Sequence, residues 1–295
     1  MKKIGFIGLG SMGMPMAHNL LKHGFEVTGF DLSVEKKELL RQYGGRSVET
    51  LPELAVGQDH IILMVVNFEQ VEDIILNSGL LESIEDHTTI IMMATCPSDQ
   101  IADLSKELAS RKAIKLLDAP VSGGVAGAIA GTLTVMAAGD ESVFEEAKPV
   151  LEAMGSRIYH VGPDIGQGSM TKTVNQLLCG VHIAATAEAF ALASKVNIDL
   201  SIILDIMSES SASSWMLKDR GPRMLKEQPE ITSAVDIFVK DLGIVLNTGN
   251  NIRTALPIAA CAHQMFLAAS GLGYAKEDDS QVIRSYYAMN NISDT

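Results

Sequence analysis

The sequence predicts an α/β chain: a doubly wound, mostly parallel sheet over residues 1–163, followed by an all-α domain over 164–295. Three observations carry this expectation. A glycine-rich turn directly follows an apolar strand in IGFIGLGSMGMPMA, residues 4–17. Short apolar runs then alternate with helix-period segments as far as Gly162-Pro163. Beyond that point only helical periodicity remains. A chain of 295 residues is also long enough for two domains.

In chain order, the apolar runs at 4–8, 26–30, 60–66, 88–94, 114–119, 133–138 and 157–161 read as strands. The segments at 12–23, 34–43, 51–56, 68–77, 98–111 and 141–154 read as helices, the third opened by a capping box at Thr50-Leu-Pro-Glu53. Ligands of such sheets bind at the carboxyl ends of the strands. Residues 169–195 hold no Pro and only Gly180. Fully helical, they would span roughly 40 Å. A helix so apolar needs cover on more than one face, which favours an interdomain or intersubunit place and a homodimer or homotetramer. Breaks at Asn197, Gly221-Pro222, Pro229, Asn250–Asn251, Pro257 and Gly271–Gly273 divide the rest into a bundle of five or six helices in all.

The bulk numbers exclude several classes. A net charge of −13 argues against nucleic acid. It also repels small anions, so a carboxylate substrate must be held by local donors. No apolar run reads as long and charge-free enough to span a bilayer, so no membrane partner is expected. The glycine turn interrupts any signal-peptide core behind Met-Lys-Lys. Cys96, Cys179 and Cys261 lie far apart and read as reduced, buried thiols of a cytoplasmic protein. The seven histidines show no metal-ligand spacing, and no metal is expected.

The turn Gly8-Leu9-Gly10-Ser11-Met12-Gly13 fits G-x-G-x-x-G between strand and helix, the Rossmann-type dinucleotide fingerprint. Gly8 permits the tight turn, Gly10 lets backbone approach a pyrophosphate, and Gly13 lets helix pack on strand. The pyrophosphate then sits on the N–H groups at the positive end of the helix. Asp31, eighteen residues beyond Gly13 at the end of the next apolar run, suits the two hydroxyls of an adenosine ribose and repels a 2′-phosphate. NAD is therefore expected over NADP. No basic residue follows immediately; Lys36 and Lys37 lie a turn into the helix. The alternative is that Asp31 merely opens that helix, although Ser33 is the better N-cap.

Two later segments bear chemistry. Asp118-Ala-Pro-Val-Ser-Gly-Gly124 leaves a strand as a loop of small residues, with the Ser122 hydroxyl and the amides of Gly123 and Gly124 able to grasp a carboxylate. From this segment alone a flexible connector is at least as good a reading, and slightly the better one. Gly166-Gln-Gly-Ser-Met-Thr-Lys172 opens the long helix, on which Lys172, Asn175 and Gln176 share one face. A lysine on an apolar helix loses solvation, which lowers its pKa toward the range of proton transfer. Its alternative is a snorkelling side chain whose ammonium reaches water.

Through four motifs in order, GLGSMGMPMA, DAPVSGG, GQGSMTK and FVKDL (238–242), the whole chain resembles the β-hydroxyacid dehydrogenase family, which includes 3-hydroxyisobutyrate dehydrogenases. NQLLCGVHIA (175–184), SAVDIFVKDLG (233–243) and the run at 276–280 are similar to those members that act on four-carbon sugar acids. The resemblance implies that Lys172 is the general acid/base, with Ser122, Gly123 and Gly124 on the substrate. It places Val66 and Asn67 beside the adenosine, Thr95 at the nicotinamide end and Lys240 over the cofactor. Family members carry Asn four residues after the lysine; here that position is Gln176, preceded by Asn175, and either amide fits the role. NADP-preferring members often carry Asn-Arg where this chain has Asp31-Leu32, so the resemblance also implies NAD.

The expectation is an NAD-dependent dehydrogenase of a small hydroxy acid, a four-carbon sugar acid first. A reductase of tartronate semialdehyde, or an enzyme of the 3-hydroxyisobutyrate type, is the alternative within enzymes. A dinucleotide-binding module without catalysis is the alternative outside them. Trp215 and Phe238 read as core before pocket.

Overall fold

The computed structural model describes residues 2–112 and 114–293. The chain packs as two units, Met1–Thr173 and Val174–Thr295. The division falls inside the long helix.

The first unit runs β1 (Lys3–Ile7), α1 (Gly13–Lys22), β2 (Glu26–Phe30), α2 (Val34–Gln42), β3 (Arg46–Ser47), α3 (Leu51–Ala55), β4 (His60–Leu63) and α4 (Phe68–Glu72), continued by a π-helical turn at Asp73–Asn77. It goes on through α5 (Leu80–Ser83), β5 (Thr89–Met92), α6 (Ser98–Arg111), β6 (Lys115–Asp118), β7 (Val121–Ser122), α7 (Gly124–Ala130), β8 (Leu133–Ala138), α8 (Glu141–Glu152) and β9 (Gly155–Gly162) into α9 (Gln167–Lys195). The nine strands form one sheet ordered β3-β2-β1-β4-β5-β6-β8-β7, with β9 paired to β8. Strands β1 to β6 are parallel throughout, while β8 runs antiparallel to β6 and β7.

The register follows side-chain alternation. Ile62, Ile91 and Leu117 enter one core with Phe6, Leu20 and Phe144. Their chain neighbours Ile61, Ile90 and Leu116 enter a second core with Leu54, Leu80 and Leu104. Both faces of the central strands are thus buried, as a parallel sheet requires. Caps anticipated at Ser33 and Thr50 form, Ser33 Oγ accepting from the Lys36 N–H and Thr50 Oγ1 from the Glu53 N–H. The expected box is only half made, because the Glu53 carboxylate accepts from the Glu49 N–H and not from that of Thr50.

Four short elements escape the sequence pattern: β3, α5, β7 and α7. The expected loop of small residues up to Gly124 is instead a strand pair, Val121↔Val135 and Ser122↔Thr134, followed at once by α7.

The second unit holds α10 (Leu200–Glu209), α11 (Trp215–Met224), α12 (Val235–Asn251), α13 (Pro257–Ala269), a π-helical turn at Ser270–Tyr274, a 3-10 turn at Asp279–Val282 and α14 (Ile283–Asn290). Its core joins Ile183, Ala187 and Phe190 of α9 to Phe238, Leu242, Phe266 and Ile283. The break expected at Gly221-Pro222 is absent, because α11 runs through both residues. A Cβ on Gly221 would lie 2.6 Å from Leu204, so that glycine serves helix packing. Within the run at 276–280, Asp278 opens the 3-10 turn, its carboxylate accepting from the Ser280 N–H. Asp279 is fully buried and takes Nε and Nη2 of Arg220 at 2.7 and 2.8 Å.

Two expectations from composition need correction. Helix α9 is long and apolar enough to cross a membrane by length and composition, with a mean hydropathy of 1.5 over its best window. Much of that apolar surface goes into the core of the second unit, through Cys179, Ile183, Ala187 and Phe190. Cys261 is exposed, whereas Cys96 and Cys179 are buried as expected.

At the amino end of β4, His60 is fully buried, and its Nε2 lies 3.0 Å from Lys2 Nζ. Burial first, then the Lys2 charge, lowers its pKa from 6.5 to about 4. The unfolded chain therefore binds a proton between those values that the folded chain refuses. Stability should be full above pH 6.5 and fall as the pH drops toward 4, by roughly 3 kcal/mol from this site. Urea unfolding at pH 7 and pH 4.5 reads the effect, and His60→Gln should shrink the difference between the two.

Candidate active site

Parallel pairing sets the carboxyl ends of β1, β2, β4, β5 and β6 along one edge. The predicted residues of the first unit other than Lys172, which lies on α9, follow those ends: the 8–13 turn after β1, Asp31 after β2, Val66 and Asn67 after β4, Thr95 after β5, and Ser122 to Gly124 after β6.

The glycine turn is shaped by close backbone contact. A Cβ on Gly13 would lie 1.9 Å from the Gly8 carbonyl oxygen, and one on Gly8 (φ +90°) would lie 2.3 Å from that of Met64. A Cβ on Gly10 would meet only Lys36 Nζ, at 3.9 Å, so space remains there. The N-cap of α1, Met12, makes no side-chain cap; with the Met14 N–H on the Gly10 carbonyl and no N–H on Pro15, the Gly13 amide is the one the first turn offers a ligand. An open cradle at Gly10, beside a helix start that no side chain caps, fits the pyrophosphate of a dinucleotide. Lys36, which lies a turn along α2 in sequence, thus places a cation beside the turn.

Asp31 ties this turn to β2. Its Oδ2 accepts from the Leu9 N–H at 2.8 Å and its Oδ1 from the Ser33 N–H at 2.9 Å. Two of about four acceptor positions on the carboxylate are thereby used, and the others suit a ribose. The helix-opening role belongs to Ser33. Asn67 caps α4, its Oδ1 accepting from the Gln70 N–H at 3.0 Å, while Gln70 Oε1 accepts from the Val66 N–H at 2.9 Å. Val66 itself is exposed.

At the end of β6 the Asp118 carboxylate is buried. Oδ2 accepts from the N–H groups of Gly166 (3.0 Å) and Ser169 (2.8 Å), and Oδ1 from Ser169 Oγ (2.7 Å). Burial raises its pKa, opposed by these hydrogen bonds. The same acid therefore begins the 118–124 segment and anchors the start of α9, three residues before the buried Lys172. Sequence reading missed this role. Gly123 and Gly124 adopt φ +130° and +61°, and a Cβ on Gly124 would meet nothing within 4 Å.

In the second unit, Asn175 Nδ2 donates to Gln176 Oε1 (2.9 Å), and Gln176 Nε2 donates to Asp241 Oδ2 (2.5 Å). Lys240 Nζ lies 2.6 Å from Asp241 Oδ1. Both candidate amides and Lys240 thus belong to one chain of contacts through a buried acid. Asp241 also escaped the sequence reading; an Asp on the apolar face of α12 was the available signal. Phe238 is core, stacked on Phe266 at 5.1 Å, whereas Trp215 is exposed. Among the described residues no three His, Cys, Asp or Glu side chains converge as metal ligands.

A strand edge carrying a dinucleotide-type glycine turn fits an NAD-binding oxidoreductase, and the relatives of this chain show that class. The sequence profile of the NAD binding domain of 6-phosphogluconate dehydrogenase matches residues 3–162. That of the NAD-binding region of NADP-dependent 3-hydroxyisobutyrate dehydrogenase matches residues 166–286. The L-threonate dehydrogenase of Pectobacterium atrosepticum is 40% identical over 96% of this chain and 93% of its own. That of Cupriavidus necator is 40% identical over 97% and 96%. The crystal structure of a 3-hydroxyisobutyrate dehydrogenase from Salmonella typhimurium superposes with a TM-score of 0.91 at 38% identity, covering 96% of this chain and 99% of that one. The chain belongs to the 3-hydroxyisobutyrate dehydrogenase-like family of NAD-binding hydroxyacid dehydrogenases.

The two glycines of the turn should separate in a binding experiment. Gly10→Ala should leave the thermal midpoint within about 2 °C of the parent, since its Cβ has room. It should still weaken NADH binding on the order of tenfold by filling the cradle. Gly13→Ala should lower both, because its Cβ strikes backbone. Calorimetry with NADH fluorescence titration distinguishes the two.

Proposed function

We propose that the protein catalyses NAD-dependent oxidation of a small hydroxy acid, with L-threonate or another four-carbon sugar acid as substrate and Lys172 as general acid/base. The observation that carries this reading is the Asp118 carboxylate, which joins the Ser122–Gly124 segment to the helix bearing Lys172 at the sheet edge that also holds the glycine turn.

The residues of the turn, Gly8 to Gly13, with Asp31, Val66, Asn67 and Thr95, would hold the dinucleotide, and Lys240 would lie over it. When bound, NAD supplies a nicotinamide ring that accepts a hydride from the carbinol carbon. The Ser122 hydroxyl and the amides of Gly123 and Gly124 hold the substrate carboxylate. Lys172 Nζ, as the neutral amine, accepts the hydroxyl proton; in reduction its ammonium form returns that proton to the carbonyl oxygen. The local cation also offsets the long-range repulsion of a net charge of −13. Asn175 or Gln176 orients the substrate, held in place by Asp241.

A 3-hydroxyisobutyrate-type substrate is the second reading, favoured by the close superposition on the Salmonella typhimurium 3-hydroxyisobutyrate dehydrogenase. Exposed Val174, Leu178 and Leu192 on α9, with Ile202 and Ile206 on α10, support a homodimer or homotetramer, which light scattering reads directly. Cys96, Cys179 and Cys261, none of them in a disulfide, suit a cytoplasmic location.

Lys172→Ala should lower kcat at least about a hundredfold while NADH affinity changes little. Turnover near the parental rate would remove Lys172 from the chemistry. Absorbance of the reduced cofactor over a panel of three- to five-carbon hydroxy acids of defined stereochemistry tests the substrate. The same panel run with NADP should give kcat/KM about tenfold or more below that with NAD, since Asp31 opposes a 2′-phosphate.

A further inference from the structure

The geometry points to Asp118 as a positioning residue for the reaction: it caps α9 from another strand and so sets the rotation of that helix, and with it the direction of Lys172 relative to Ser122. This rests on the acid/base reading of Lys172 and adds to it a residue that touches neither substrate nor cofactor.

In an ordinary capping box, the amide of the N-cap residue and the amide three residues on are served by side chains of the helix itself. Here the N-cap is Gly166, whose carbonyl oxygen takes the Met170 N–H at 2.8 Å. Gly166 has no side chain to offer, and a Cβ there would lie 2.7 Å from the Ser98 carbonyl oxygen, at a φ of +102°. Both box amides, those of Gly166 and Ser169, converge instead on a single oxygen of Asp118, a residue 48 positions earlier than Gly166. The other oxygen takes the Ser169 hydroxyl. With α9 held at its N-cap and third residue together, rotation about the helix axis is fixed as well as position along it. A slip of one residue would turn each side chain by about 100°. Gly168 completes the seat: a Cβ there would lie 2.4 Å from the Asp118 carbonyl oxygen and 2.5 Å from that of Met136. Lys172 follows Ser169 by three residues and Ser122 follows Asp118 by four. The two reacting segments therefore share one anchor.

Three variants test this. Asp118→Ala removes the anchor. Asp118→Asn retains one carbonyl oxygen for both amides and offers its NH2 to Ser169 Oγ. Ser169→Ala keeps its own amide bond and loses the hydroxyl bond. Each is assayed for thermal midpoint, NADH affinity, kcat, and the isotope effect on kcat with a hydroxy acid deuterated at the carbinol carbon. Misplacement of a reacting group by about 1 Å costs on the order of a hundredfold. Asp118→Ala should accordingly lose about tenfold or more in kcat, keep NADH affinity within about twofold, and show a raised isotope effect because the chemical step now limits turnover. Asp118→Asn should restore most of the rate.

Turnover by folded Asp118→Ala within about twofold of the parent would overturn the inference. So would a loss that follows NADH affinity while the isotope effect stays unchanged. Should Asp118→Ala fail to fold, Ser169→Ala carries the test: a drop of about threefold with a raised isotope effect supports the role, and parental values overturn it. Lys172→Ala in the same series separates the two ideas. If it turns over freely the acid/base reading falls, whereas a dead Lys172→Ala beside a fast Asp118→Ala sinks the positioning role alone.

Discussion

Backbone lying directly on backbone is the constraint from which the rest of the first unit follows. It occurs at both glycine motifs. Gly13 lies against the Gly8 carbonyl, and Gly168 against the carbonyls of Asp118 and Met136. No side chain fits at either contact, so α1 and α9 begin as close to the strand ends as covalent geometry permits. Gly10 and Gly124 are of another kind, for a Cβ would find open space at both. The first pair builds the edge of the sheet, and the second leaves it approachable.

Acids at this edge act on the chain before they act on any ligand. Asp31 holds the Leu9 amide and Asp118 holds the start of α9, each through hydrogen bonds from backbone N–H groups. Bonds to an ionised acceptor are among the stronger ones a fold makes, each worth about 1.5–3 kcal/mol net. For Asp118 they must also offset the loss of hydration, and the direction of its pKa shows that burial outweighs them. A negatively charged chain can thus place carboxylates beside a site for anions, because their charge is directed into amides of the protein itself.

Much of this was legible in the sequence, and the misses have physical causes. Strands β1, β4, β5, β6 and β8 announce themselves as apolar runs because both faces of the sheet are buried there, whereas β2 is buried only at alternate residues. Strands β3 and β7 are two residues long and leave no periodicity to read. Helix α7, GVAGAIA, carries two glycines and so resembles a loop; tertiary packing of Ala128 in the core overrides that weak propensity. The Gly221-Pro222 pair misled in the opposite direction, since Gly221 is required by a close neighbour on α10. At the site, residue types with an evident chemical use, glycine, serine and lysine, stood out. Asp118 and Asp241 did not, because the groups that mark them out, Gly166 and Ser169 for the one and Gln176 for the other, lie far away in sequence and only the fold brings them together.

How the helices are capped carries the reading of the edge one step further. The helices after β2 and β4 have their own side-chain caps, Ser33 on α2 and Asn67 on α4. Those after β1, β5 and β7 have none: their N-caps are Met12, Pro97 and Gly123. Ser33 and Asn67 stand where an adenosine, uncharged at its ribose and base, is proposed to lie. The uncapped starts stand where the pyrophosphate, the nicotinamide end and the substrate carboxylate are proposed. A side-chain cap satisfies the amides that an anion would otherwise take, so capping every helix would have closed the site to its charged groups. Helix α9 is the revealing case. It receives its cap from Asp118, a buried carboxylate at the end of β6, and under the proposed role of Lys172 that cap also aims the lysine.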